Sequence, residues 1–490
     1  AIGILTDYVL EDPYVRERHD QSDTRRYTSF WWKPDQKKAF GFVLTPRQGD
    51  KLAKLCAELA AKKEYPTVTC YVDSRLYDGH IEDVTAFLPG ETDEEILLVG
   101  HLCHPRASAN DNASGCAAVM EAMRTINDLV NTGKLPPLKR GIRMLLVPEF
   151  PGSYAYVEKL GAASAKIKAA FNLDMVGGRQ DRGYGPITIT DLPLSLPSLV
   201  SDAAAVVLDE IRHEVSGMTG SSFCPMFNSH ITSFSGGSDH IVYSDPQCSI
   251  PCLMLGQWPD KYYHTSSDTL DRVDPYILSR SAALSAGYAD SLANLEAADM
   301  APICDMGLVR TAAYLSELYT LLGKGKVDPA FYNGRIAAYT NWKPQSFDSF
   351  YGWIGDICPE ELEAQKNRIR ALVKAIEGFD PTTARLKSII TPAQKGKYRM
   401  VIRRTCNTPF PIRGPRTVFE QPLQAMVEEF QEKYVHSMGD ALTAIGYYFD
   451  GVKTVAQVAM DLACEFNVYD PAAVLLYAKI LVAAGQAEEV

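Results

Sequence analysis

The run Ile96-Leu-Leu-Val99, followed by His101, His104 and the polar turn Asn110-Asp111-Asn112-Ala113-Ser114-Gly115, constrains this chain more than any other stretch. Four consecutive apolar residues lead into two imidazoles, a carboxylate and then a helical repeat. That order reads as a buried strand, a loop and a helix. Open α/β sheets present ligand-binding groups in this position, outside the carboxyl ends of their strands. Neutral imidazole with carboxylate is a donor set that suits zinc.

The same pattern recurs along the chain. An apolar strand at 142–147 ends at Glu149, one at 169–173 ends at Asp174 ahead of Gly177-Gly178, and one at 251–255 leads to Tyr263-His264-Thr265. Helical spacing marks 48–61, 153–167, 276–297 and 116–130, the last with Val119, Met123, Ile126 and Val130 on one face. Further strands are predicted at 67–72 and 81–88. Strands alternating with helices predict an α/β fold: a mostly parallel sheet with helices on both faces. The loops over 178–235 carry no readable code.

At 490 residues the chain has room for two or three domains. Composition shifts divide it into 1–37, a catalytic domain at 38–298, a mainly helical region at 299–435 and a winged-helix-like module at 436–490. In that module Thr454 caps one helix and Asp470-Pro471 opens another. A structural or oligomerisation role for it, or a lid over a peptide site, is the expected one. The net charge of −11 argues against a nucleic-acid binder. Residues 381–419 do hold nine Lys or Arg and no acid, Lys395, Arg404 and Arg416 among them. The stretch 395–405 alternates as a strand, which predicts that its charges share one solvated face. No apolar run approaches the roughly 18–20 residues a membrane span needs. Eleven scattered cysteines without a C-x-x-C pair point to a reduced, cytoplasmic chain. Ala1 to Tyr8 reads as an interior strand, so the chain reads as starting partway through a longer protein. The expected partner is a peptide substrate, with no nucleic acid and no membrane; a homo-oligomer stays open.

Two metal ions held close together need a bridging carboxylate with terminal ligands on either side. Asp111 can bridge, with one histidine and Asp174 on one ion and His264 and Glu149 on the other. The surroundings of these residues are specific. Asn110-Asp111-Asn112-x-Ser114-Gly115, Asn172-Leu-Asp174-Met-Val-Gly, Ser238-Asp239-His240 and Tyr263-His264-Thr265-x-x-Asp268-Thr269 resemble the di-zinc aminopeptidase family of secreted bacterial leucine aminopeptidases, glutaminyl cyclases and glutamate carboxypeptidases. The resemblance covers about residues 38–298, and 1–37 is similar to the end of a protease-associated insert. It implies a zinc-exopeptidase-like fold with Asp111 as bridge, Asp174 and His264 as terminal ligands, and Tyr263 as hydrogen-bond donor to the tetrahedral oxyanion.

Two departures leave roles open. His101-Leu-Cys103-His104 stands where the family has His-x-Asp, so either His101 or His104 is the ligand. Glu149 stands alone where the family has two adjacent glutamates, so it is either the general base or a ligand. Cys103 is read as a buried filler, Asp268 as a support for the His264 loop, and His240 as structural. The resulting expectation is a zinc-dependent aminopeptidase with two Zn2+ ions, or one. The alternatives are single-zinc acyl transfer of the glutaminyl-cyclase kind and a non-catalytic peptide-binding protein that keeps the fold.

Overall fold

The structure, a computed structural model, describes residues 3–27, 37–377 and 396–490, apart from positions 13, 76, 105, 107, 182, 214, 215, 222–226, 328, 356 and 415–417. A parallel pair, β1 (Gly3–Thr6) and β2 (Phe40–Val43), precedes the central sheet. The sheet comprises β3 (Val84–Leu88), β4 (Glu95–His101), β5 (Gly141–Val147), β6 (Ile167–Asp174), β7 (Ile187–Thr190), β8 (Ser229–Thr232) and β9 (Cys252–Gln257). Their order is β3-β5-β4-β6-β9-β7-β8. β5, β4, β6 and β9 run parallel, as does β8 on β7, while β3 and β7 pair antiparallel with β5 and β9. The fold is therefore α/β with a mostly parallel sheet.

The central strands are apolar throughout because both their faces are covered. Ile96 and Leu98 pack with Val119, Met123 and Ile126 of the helix Gly115–Asn131 and with the helix Pro275–Ala293. Leu97 and Val99 point the other way, to Val157 of the helix Pro151–Leu160 and to Tyr243. The helices Met300–Gly323, Pro329–Asp348 and Pro359–Glu377 add Leu315, Phe347 and Ile369 to the first of these clusters. No single helix among the described residues is long and apolar enough to cross a membrane.

A second apolar cluster belongs to the C-terminal region. There β10 (Val401–Arg404) lies between β11 (Asp450–Thr454) and β12 (Ala487–Glu489) in an antiparallel sheet. The helices Leu423–Lys433, Val455–Phe466 and Pro471–Ala483 pack on it. Thr454 and Asp470 cap the latter two through Gln457 N–H and through Ala472 and Ala473 N–H.

Several local expectations change. Residues 67–72 are exposed and join no sheet; β3 already occupies the β5 edge where such a strand could pair. The helix expected over 153–167 stops at Leu160, because Gly161 adopts φ 50° and a 3-10 segment follows. The basic stretch does not present one solvated face. Arg404 turns inward, 8% exposed, and pairs with buried Asp245 at 2.9 and 3.0 Å. Lys395 and Arg416 lie outside the described residues.

Candidate metal centre

The strand ends bring His101, His104, Asp111, Asp174 and His264 together. Asp111 is the focus. Its Oδ1 lies 3.3 Å from His101 Nε2 and 3.0 Å from His104 Nε2, and its Oδ2 lies 3.1 Å from His264 Nε2. His101 Nε2 also reaches Asp174 Oδ1 at 3.1 Å. Both imidazoles of the first loop thus approach one oxygen, where the sequence left a choice between them. Glu149 and Cys103 form a second group that shares His101: one donor atom from each of the three lies within 4.8 Å of the others.

Local sequence explains how Asp111 is held. Asn112 accepts hydrogen bonds from Gly115 N–H and Met175 N–H and donates to Leu173 O at 2.8 Å. Asn110 Oδ1 accepts from Gly177 N–H, and Ser114 Oγ from Val176 N–H. The polar turn is therefore bonded to the loop that carries Asp174. A Cβ at Gly115 would come within 2.3 Å of both Asn112 Oδ1 and Leu173 O, so only glycine fits there. Asp268 accepts from the N–H groups of both Asn110 and Asp111 at 2.9 Å. It supports the Asp111 turn directly, where the sequence suggested the His264 loop.

The turn that carries Glu149 is bonded to a second carboxylate. Asp239 Oδ1 accepts from Phe150 N–H at 2.7 Å, beside the glutamate. Burial, and then the Asp174 charge, push the Glu149 carboxyl up to about 8. Cys103 is exposed and no filler; its Sγ accepts from Glu149 N–H at 3.4 Å and lies 3.6 Å from His101 Nδ1. His240 is buried, with Nε2 2.7 Å from Ser235 O, and burial lowers its pKa to about 4. Tyr263 stacks on His264 at 3.6 Å between centroids.

Three residues escaped the sequence reading. Tyr27 packs on His264 and edge-on to His104, at 4.4 and 5.3 Å between centroids. Arg16, 4% exposed, donates to the carbonyls of Lys261 and Tyr263 at 3.0 Å and so braces the His264 loop. Asp239 was noted as part of a motif, without its bond to the Glu149 turn. For Tyr27 and Arg16 the only signal lies in contacts between chain segments far apart in sequence.

The donor set fits a metal. Both oxygens of Asp111 are buried without a well-formed hydrogen bond, although three ring nitrogens face them. Donors each about 2.0–2.1 Å from a tetrahedral zinc lie about 3.3 Å apart, close to the spacing seen here. His101, His104, Asp111, Asp174 and His264, with Glu149 alongside, are the residues that would hold it.

The protein is thus an α/β fold with a mostly parallel sheet and candidate metal donors at its strand ends. Residues 83–289 match the model of Peptidase family M28. A Clostridium acetobutylicum protein named for polysaccharide biosynthesis and an aminopeptidase-like domain is 26% identical over 261 residues, 53% of this chain and 50% of that protein. The chain thus spans about half the length of that curated relative. Among solved structures, a Clostridium acetobutylicum protein described as a peptidase is 16% identical. The match covers 96% of this chain and 72% of that one, with a TM-score of 0.42. A zinc aminopeptidase from Bacillus subtilis is 18% identical over 42% and 48% of the two chains, with a TM-score of 0.34.

Proposed function

We propose that the chain is a zinc-dependent aminopeptidase that removes N-terminal residues from peptides. One observation carries this reading: a buried carboxylate, Asp111, faced by three imidazole nitrogens and standing beside Asp174 and the desolvated Glu149. Zinc in such a site lowers the pKa of water toward neutrality and polarises a carbonyl. Glu149, beside the site, takes a proton from the attacking water and returns it to the departing amine. Tyr263, fixed on the His264 ring, donates its phenol hydrogen to the oxyanion. Asp239 orients the turn that carries Glu149. The cavity over these residues, about 670 Å3, is of a size to take a substrate's terminal residue and the first peptide bond.

The test is turnover of amino-acid 4-nitroanilides by the zinc-loaded protein, lost on chelation and restored by zinc. No turnover of any such amide by protein of verified zinc content would overturn the reading. Cyclisation of an N-terminal glutamine at one ion per chain would replace it with the acyl-transfer alternative.

A further inference from the structure

The cavity beside the metal site has a wall that the peptidase domain does not supply. On one side lie β7 and β8. Ile187 and Ile189 of the run Ile-Thr-Ile-Thr enter the core, so Thr188 and Thr190 face the cavity, joined by Thr232, Ser233 and Ser235. Part of the wall is Asp440, Glu465 and Phe466, from outside residues 83–289.

This wall is fixed in place. Leu194 N–H donates to Glu465 Oε1 at 2.9 Å, and Tyr447 OH donates to Ile241 O at 2.7 Å. Arg404 pairs with Asp245. Phe234, from the cavity rim, is buried in the C-terminal apolar cluster. A Cβ at Gly236 would come within 2.6 Å of Thr443 Oγ1, so the rim loop needs glycine to approach the module this closely.

The chemistry of this half of the cavity is one-sided. Asp111, Glu149 and Asp174 belong to the metal centre, but Asp440 and Glu465 do not. No Lys or Arg lines the cavity among the described residues, and none pairs with either of these two acids. Glu465 is held in register by Tyr448 OH and Leu194 N–H, and Asp440 is exposed to the cavity solvent. Met175, Met254, Trp258 and Phe466 also line the cavity and can cover an aliphatic stem, but a side chain ending in an apolar group against Asp440 and Glu465 would strip water from carboxylates without replacing their hydrogen bonds. An acidic one would meet like charge. An ammonium or guanidinium group would find acceptors on both walls.

We propose that Asp440 and Glu465 of the C-terminal module form a specificity wall selecting substrates whose N-terminal residue is cationic, lysine or arginine. The proposal rests on the aminopeptidase reading for its substrate class, but its test is binding and not turnover. Calorimetric titration of the zinc-loaded full chain with lysinamide, argininamide and leucinamide should give the two cationic amides affinities about tenfold or more above leucinamide. Asp440→Asn and Glu465→Gln should each reduce that ratio at least about threefold. Glu465→Gln keeps an acceptor for Leu194 N–H, and a melting curve verifies that each variant is folded. Leucinamide binding as tightly as lysinamide, no binding of any amide, or ratios unmoved in both variants would overturn the proposal. A protein that binds the cationic amides but cleaves no 4-nitroanilide would sink the aminopeptidase reading and leave the wall standing.

Discussion

Both oxygens of Asp111 face imidazole nitrogens, so the substitution Asp111→Ala removes the one carboxylate that all three imidazoles share. Zinc content measured by mass spectrometry is expected to fall below one ion per chain, with activity lost in parallel. An undiminished zinc content would refute the bridging role. Glu149 is a different case, because its carboxylate groups with His101 and Cys103. Acting as the base, it predicts that Glu149→Gln lowers kcat by about 10²–10⁴ while zinc content is retained. Loss of an ion in that variant would make it a ligand instead. At this scale the sequence was informative. Asp111, Asp174 and His264 each follow an apolar strand, and a strand buried on both faces is an uninterrupted apolar run whose end is easy to locate. Cys103 was misjudged because burial of a residue two steps past a strand depends on what the neighbouring loops cover.

The elements that brace the site were less legible. His264 adopts φ 56°, in the left-handed region, and its loop is held by the segment from Leu10 to Tyr27. Arg16 donates to Leu10 O, Lys261 O and Tyr263 O, Thr24 bonds Ser267, and Ser266 N–H donates to Arg25 O. Outer-shell partners of this kind commonly change metal affinity by about 10–100-fold. Arg16→Ala is therefore expected to weaken zinc binding about tenfold in a competition titration against a chromophoric chelator. Arg16→Lys should recover only part of that, since an ammonium lacks the guanidinium fork that spans three carbonyls. Affinities equal to that of the unsubstituted chain would show that the loop holds its shape unaided. The described residues of 10–27 show no hydrophobic period in sequence because their order comes from these long-range bonds. β7 is a nearer miss. Its Ile-Thr alternation is the signature of a half-buried strand, but four residues in a loop-rich stretch are too few to declare it.

Over the whole molecule, the helices over the central sheet and the helical region are joined by a buried charge network and not by apolar packing alone. Asp202, 0% exposed on the helix Val200–His213, accepts from Arg310 Nη1 at 2.6 Å and from Lys343 Nζ. Arg310 also bonds Asp191, and Lys343 is itself 3% exposed, its pKa lowered by burial against the opposing pull of Asp202. The cations come from the helices Met300–Gly323 and Pro329–Asp348, so three helices meet at one carboxylate. Hydrophobic pattern cannot disclose this, because each charged residue looks like an ordinary solvated position until its partners are known. Removing one member of a buried pair leaves the other charge without compensation, at a cost of about 3–5 kcal/mol. Asp202→Ala strands Lys343 and leaves Arg310 with Asp191 alone, so its unfolding free energy, measured by urea titration, should fall by an amount in that range. Arg124, exposed between Glu121 and Asp128, provides the contrast: Arg124→Ala should leave the midpoint where it is. Lys343→Met adds a discriminating case. It removes the buried charge together with its need for a partner, so it should cost less than Asp202→Ala if desolvated charge dominates. Equal losses in the two variants would instead point to packing around Phe347 as the source of the stability.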